Sequence, residues 1–420
     1  MKVVIFEDDR SANFYPLALS RPVFELRCGM DDLAAKIARW AGVSPDAYLV
    51  RDYLVDTFKA RSPGKVNDLS GLGRGQVLAV NGRLLAGSDA KPPGEVGAYW
   101  LEDAALGWLL TDKDLSAVTD YAALAKMAEG EPKKPCTAKA FKYVWDVMLA
   151  SVEQIAVDFK AMGRSGIEGS VEQPSAIRGS KGDVYIAPGA EVHPMVVIDA
   201  SAGPVYLDEQ VEVHPFTRIE GPAYVGPKSI LLGTKLREGC SIGPVCRVGG
   251  EVEESVIHGH SNKYHDGFLG HAYVGEWVNL GAQTSNSDLK NDYSSVEVVL
   301  NGKKINTGST KVGSLIGDHT KTSIGTLFNT GSIVGAMGII MATGSVLPKS
   351  IPSFAWFLNG ATTKGFGRRA LYQTAKTAMG RRKKQWTDAD QAMWEHIYEL
   401  TRDERETAIR RGRRQFLGRV

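Results

Sequence analysis

From Val184 to Val346 a branched aliphatic or small residue stands at nearly every sixth position. A helix repeats at about 3.6 residues and a strand at about 2, so neither accounts for this period. Ile186, Val192 and Ile198 fall in step, then Leu207, Val213, Ile219, Val225 and Leu231; after a slip of one come Leu236, Ile242 and Val248, then Phe268, Val274 and Leu280. Gly and Pro mark the corners at Pro188-Gly189, Gly226-Pro227, Gly243-Pro244 and Gly281. A short repeat punctuated in this way predicts a parallel β-helix, each hexad forming one face of a triangular prism with its aliphatic residue turned to the axis. The hexads stop between Thr284 and Lys311 and resume at Val312-Gly313. A long insertion in a solenoid maps to a loop on one face, and this polar one is expected to close over a ligand.

With 420 residues, 43% hydrophobic and 23% charged, the chain suits a globular protein of two or three domains. The net charge of +2 hides a basic end: residues 361–420 hold fifteen Lys or Arg against seven Asp or Glu, which leaves the rest mildly acidic. Neither basic run, Arg381-Arg382-Lys383-Lys384 or Arg410-Arg411-Gly412-Arg413-Arg414, is interleaved with aromatic residues. Solvated helix ends are therefore expected, with no specific nucleic-acid partner. No stretch of 18 apolar residues occurs and Met1–Phe6 runs straight into Glu7-Asp8-Asp9, so a cytoplasmic protein without a transmembrane segment is expected. Cys28, Cys136, Cys240 and Cys246 form no CxxC pattern and are expected as reduced thiols, the pair six apart packing in successive hexads.

Three regions follow. Residues 1–165 read as α/β: Val3–Phe6 and Gln76–Asn81 as buried strands, Met30–Trp40 as a helix, and Val144–Met162 as a helix leading to the solenoid. Alternation of strands and helices favours a mainly parallel sheet with ligands at the carboxyl ends of its strands. Residues 166–357 form the solenoid, entered through a Gly-, Ser- and Pro-rich junction at 166–183 and capped by the aromatic stretch ending at Phe357. Residues 358–420 form a basic helical tail.

The densest polar cluster runs from His258 to His271 and holds four of the eight histidines, at 258, 260, 265 and 271. Imidazole is the side chain whose ordinary pKa suits proton transfer at neutral pH. From His265 the string His-Asp-Gly-Phe-Leu-Gly-His-Ala-Tyr-Val-Gly-Glu-Trp-Val-Asn-Leu-Gly-Ala-Gln-Thr closely resembles the acetyltransferase domain of the bacterial bifunctional N-acetylglucosamine-1-phosphate uridylyltransferase/glucosamine-1-phosphate N-acetyltransferases. The run from Gly259 to Phe354 is similar to an alternative form of this enzyme with a compact first domain. The resemblance implies a left-handed β-helix acyltransferase, a homotrimer, with His265 as general base and Asn279 beside the acetyl-transfer site. Acetyl-CoA is the implied co-substrate, taken by Gly281, Ala282, Asn286 and Lys290. Lys235, Arg237, Arg247 and Lys263 are candidates for gripping the 1-phosphate of glucosamine 1-phosphate.

Tyr15–Val23 resembles the start of the sugar-phosphate nucleotidyltransferases, which implies an α/β nucleotidyltransferase-like first domain making a nucleotide-sugar such as UDP-N-acetylglucosamine, a cell-wall precursor. The chain departs from that pattern. Glu7-Asp8-Asp9-Arg10-Ser11 stands where a Gly-x-Gly loop is expected, Val23 where a catalytic Lys follows Pro22, and Asn81-Gly82-Arg83 where a metal-binding Gly-Asp belongs. Arg10, Arg21 and Arg27, with Asn81 and Gly82, are left as candidates for nucleotide binding, and Asp146 as an oxygen ligand to Mg²⁺. Two other readings stay open: a γ-type carbonic anhydrase with zinc on His260 and His265, and a non-catalytic trimeric scaffold that binds nucleotide-sugar or uses its basic tail.

Overall fold

A computed structural model describes residues 1–87, 91–102 and 104–417, with side chains described as far as Arg414; residues 418–420 of the tail lie outside the described residues. The first domain is built on a seven-stranded sheet in the order Lys133–Pro135, Gly97–Leu101, Ala104–Leu110, Val77–Asn81, Lys2–Phe6, Ala47–Leu49, Lys65–Val66. Only Ala104–Leu110 runs against its neighbours. The central strand, Val3 to Phe6, is fully buried, as a strand covered on both faces must be. The helix expected near Met30 spans Leu33–Ala41: Asp32 caps it by accepting from the Ala35 amide at 2.7 Å, and Gly42 closes it in the left-handed region.

The chain then winds into a parallel β-helix whose strands stack coil on coil in register. Along one wall Val184 pairs with Val205, Val205 with Ala223 and Ala223 with Cys240. The predicted aliphatics fill the axis: Ile186, Val192, Ile198, Leu207, Val213, Ile219, Val225, Leu231 and Val248 are all buried there. Two positions differ from the hexad count. Leu269, paired with Val252, points inward six residues after Lys263 while Phe268 stands beside Glu251, so the count loses one residue between Leu269 and Val274. Lys263 takes the inward slot beside Val248. The stretch 166–183 is already the first coil, since Gly166–Ile167, Ser170–Val171 and Ala176–Gly179 pair with the coil above. All four cysteines are free thiols, and burial pushes Cys28 and Cys246 up to about 12.

The insertion departs from the expected lid. Ser285–Asn286 still forms a rung against Leu327–Phe328, and the excursion begins after Asp288. It folds as a hairpin, Glu297–Leu300 on Lys303–Asn306, that turns toward the first domain. Val296, Val298 and Leu300 are buried in the core shared with Leu17 and Leu19, and Asn301 Nδ2 donates to Ala12 O at 3.1 Å. The apolar residues on one face of the hairpin explain this: they are buried only when the first domain covers them.

That docking uses a column of outward residues, one per coil: Tyr185, Tyr206, Tyr224, Ser241, Val256, Tyr273, Leu315 and Ile333. The helix Val144–Met162 lays Ile155 and Phe159 on the three tyrosines. Ser241 Oγ donates to Gly29 O at 2.5 Å, and Gly29 has left-handed φ with no room for a Cβ, which would fall 2.4 Å from Asp158. The tail is part of the same core. Leu371, Tyr372, Met393, Trp394 and Ile397 are buried with first-domain residues, His396 stacks on Tyr53 at 4.5 Å, and Arg405 lies 3.8 Å over Tyr398.

Asp158 ties the helix Val144–Met162 to the rest of the first domain. Fully buried, it accepts from the Met30 amide at 2.9 Å, from Lys36 Nζ at 2.6 Å and from Arg39 Nη2 at 2.7 Å. Asp158→Ala leaves the buried Lys36 ammonium without its carboxylate, and chemical denaturation should show a loss of about 3–5 kcal/mol; an unchanged midpoint would mean that the pair does not hold the helix Val144–Met162 on the first domain.

Candidate functional site

One edge of the prism carries the predicted acyl-transfer residues in adjacent coils. The Gln283 amide donates to Asp266 O and the Gly325 amide to Ala282 O, both at 2.8 Å, which stacks the corner of His265 on that of Gly281-Ala282 and both on Ser323–Gly325. His265 is exposed, its ring 4.9 Å from Tyr264. Its carbonyl accepts from Lys263 Nζ at 2.6 Å, and the same ammonium donates to Gly249 O at 2.9 Å. Lys263 therefore braces the corner from inside, and burial pushes its amine down to about 8. Gly281 is required by close approach, since a Cβ there would lie 2.5 Å from the Ser323 backbone; its amide is committed to Thr322 Oγ1 at 2.9 Å.

The other three clustered histidines are engaged elsewhere. The ring of His258 contacts the Arg21 guanidinium at 2.9 Å, and burial with that neighbouring cation holds its pKa below the usual value. His260 stacks on Trp277 at 4.4 Å with Nδ1 3.7 Å from Glu276. His271, only 3% exposed, is clamped between Asp288 at 2.8 Å and Glu254 at 3.1 Å. Burial opposes its charge, but the two carboxylates outweigh that and raise it to about 9, so it stays an imidazolium. Among the described residues the only group of three or more potential metal ligands close enough to share an ion is Glu238, Glu253 and Glu254, which holds neither His260 nor His265.

Asn279 lies on the face before this edge, in a column with Arg247, Asn262 and Lys321. Asn262 Nδ2 donates to Asn279 Oδ1 at 3.2 Å. The predicted phosphate-gripping cations are scattered. Lys235 is 3.9 Å from Glu251 on the third face, and Arg237 sits among Glu220, Glu238, Glu251 and Glu253 at 3.3–3.6 Å. Arg247 donates to Lys228 O and Cys246 O, and Lys263 is the internal brace. Of the residues predicted to hold acetyl-CoA, Asn286 is buried, accepting from Gly270 N and donating to Gly270 O at 2.9 Å, and Lys290 donates to Ser295 O within the excursion. Their polar atoms are thus used in the fold. Nothing local marks Lys321, because the excursion places it 42 positions after Asn279 in the same column.

In the first domain the strand ends are filled with charge pairs. Glu7 is bonded to Arg51 at 3.0 Å, and Asp8 to Arg83 at 2.6 Å and to Asn81 Nδ2 at 2.9 Å. Gly82 lies against Phe24, where a Cβ would fall 2.6 Å from the ring, and the Arg10 amide donates to Asp8 Oδ1. Two predicted nucleotide ligands are corrected. Arg21 is buried at the docking surface, ion-paired with Asp318 and 3.4 Å from Glu276, and Ser20 donates to the same Asp318. Arg27 lies half-buried over Tyr224, donating from Nη1 to Met30 O. Both hold the domains together, because a desolvated guanidinium is stable only where carboxylate, carbonyl or aromatic partners surround it. Asp146 is likewise a helix cap, accepting from the Lys142 and Tyr143 amides at 2.9 and 2.8 Å. With Glu7 and Asp8 neutralised by arginines and Asp146 spent on the cap, these carboxylates do not fit a magnesium ion.

An α/β domain docked along a parallel β-helix thus defines the class. Residues 3–165 match the family model described as Sugar nucleotidyl transferase. The chain is 34% identical over 132 residues to a bifunctional sugar-1-phosphate nucleotidylyltransferase/acetyltransferase of Sulfurisphaera tokodaii, covering 31% of this chain and 30% of that protein. It is 28% identical over 173 residues to the bifunctional protein GlmU of Acaryochloris marina, covering 41% and 33%. It therefore spans about a third of the length of these curated relatives. Among solved structures, the UDP-N-acetylglucosamine acyltransferase of Francisella novicida is 13% identical, with 55% of this chain and 77% of that one covered at a TM-score of 0.31. Relatives thus carry the bifunctional name that the sequence resemblance indicated.

The His271 clamp gives a pH signature. Its folded pKa of about 9 exceeds the ordinary 6.5, so its stabilisation is complete below the unfolded value and is lost as pH rises through about 9. The stability difference between wild type and His271→Gln should shrink by about 3 kcal/mol between pH 6 and pH 10. A difference that stays constant would show that the imidazole is not charged in the clamp.

Proposed function

We propose that the protein transfers the acetyl group of acetyl-CoA to the amine of an amino-sugar 1-phosphate, glucosamine 1-phosphate, at the His265 edge. The observation that carries this is selective exposure: of the four histidines between 258 and 271 only His265 is exposed, while His258 and His260 are half-buried against Arg21 and Trp277 and His271 is clamped as a cation. The neutral amine attacks the thioester carbonyl, the new C–N bond forming as His265 takes the departing N–H proton. Collapse of the tetrahedral intermediate breaks the C–S bond, and the proton passes to the CoA thiolate. With the Gly281 amide committed, the amide of Ala282 is assigned to the developing oxyanion.

The same edge exposes Met195, Phe216, Tyr264 and Ile324, an apolar strip that supports a homotrimer in which a neighbouring prism supplies the far wall of the acetyl-CoA groove. The four free thiols fit a cytoplasmic enzyme, and among the described residues no helix is long and apolar enough to cross a membrane. The first domain is assigned to binding the nucleotide-sugar, UDP-N-acetylglucosamine, with slow uridylyl transfer. Support comes from Val23 and Asn81 in place of the Lys and Asp of the family pattern and from the neutralised carboxylates at the strand ends.

Glucosamine 1-phosphate, acetyl-CoA and UTP with Mg²⁺, assayed separately for free CoA and for pyrophosphate, should give CoA release and little pyrophosphate. His265→Ala should lower CoA release by roughly two to four orders of magnitude while calorimetric binding of acetyl-CoA persists. Turnover near wild type in that variant would remove His265 from the mechanism, and brisk pyrophosphate release would show the first domain to be a full nucleotidyltransferase.

A further inference from the structure

The tail helix Arg368–Gly380 roofs the solenoid face that carries Asn279, and beneath it lies a cavity of about 420 Å³. Asn262, Asn279 and Lys321 form its floor, Gln373, Thr374 and Thr377 its roof, and Arg381 and Arg382 close it just beyond the helix end. Among the described residues no carboxylate lines it. Arg382 Nη2 reaches Asn262 Oδ1 at 3.2 Å, and Lys321 Nζ donates to Trp277 O and, at 3.1 Å, to His319 O. These bonds satisfy donors but supply no counter-charge. Burial pushes Lys321 down to about 8, and Arg247, in the same column, is held below its usual value by burial and by the charge of Arg382. Cations gathered in a partly desolvated hollow repel one another unless an anion joins them.

We propose that this cavity binds a phosphate or pyrophosphate group, with Arg381 and Arg382 of the tail and Lys321 of the solenoid as its cationic ligands and Asn279 as a neutral donor. Guanidinium pairs bind such oxyanions through parallel N–H donors, which a lysine cannot reproduce. The site would make the tail a ligand-binding element. Its group could come from CoA or from a sugar 1-phosphate, and binding measurements separate the two without any turnover, so the result stands or falls apart from acetyl transfer at His265.

Calorimetric titration of the full-length protein with pyrophosphate should show binding that weakens about tenfold or more in Arg381→Gln/Arg382→Gln. Thr377→Glu, which puts a carboxylate in the roof at an exposed helix position, should do the same with unchanged circular dichroism. Lys383→Gln, exposed and outside the cavity, should leave affinity within about twofold. In parallel titrations CoA or glucosamine 1-phosphate, whichever owns the bound group, should lose affinity in the first two variants. Absence of pyrophosphate binding, equal affinity in wild type and both cavity variants, or an equal loss in Lys383→Gln would each overturn the proposal.

Discussion

Each turn of the prism must close on itself so that backbone pairs with backbone in the coil above, and this closure governs where every functional side chain can be. Once Val248, Lys263 and Leu280 share an inward column, Arg247, Asn262 and Asn279 share the outward one beside it, and His265 and Ala282 share the edge that follows. The spacing between adjacent coils is the strand spacing, about 4.8 Å. A corner histidine and a corner amide one coil apart are thus brought to within reach of one substrate by main-chain geometry, before any side-chain contact is made.

The same closure creates the surface on which the first domain rests. An aromatic residue repeated on an outward position builds a flat apolar stripe, and Tyr185, Tyr206 and Tyr224 do so under the helix Val144–Met162. Farther along the wall the stripe becomes polar and charged, with Ser241 on Gly29, Tyr273 on Arg27 and Asp318 on Arg21. Arg21 and Arg27 are the charged side chains used for orientation: Arg21 pairs with Asp318 and Arg27 lies over Tyr224, so a shifted docking would strip both of their partners.

How much of this was legible depended on whether the signal was local or counted by coil. The hexads, the helix at Val144–Met162 and the central strand Val3–Phe6 stood out because each is a contiguous pattern of apolar residues. His265 stood out through the string around it. The tyrosine column was present in the sequence at one residue per coil, but its spacing of 18 to 21 residues is invisible to a search for sixes. Arg21 and Arg27 looked like free phosphate ligands because nothing local to Tyr15–Arg27 announces partners nearly 250 to 300 residues away. Lys321 and Arg382 were hidden for the same reason, joined to Asn279 and Asn262 only by winding and by the return of the tail.

The shared core has a consequence for modularity. Residues from the first domain, the hairpin, the outer wall of the solenoid and the tail helices pack into one apolar mass, with Phe14, Val298, Tyr273 and Trp394 all buried in it. The boundary near residue 165 is therefore a boundary of family resemblance and topology and not of folding autonomy. A chain cut there would expose the tyrosine stripe on one fragment and the faces of Ile155 and Phe159 on the other. The shared burial couples the α/β domain, the solenoid wall and the tail into a single cooperative body.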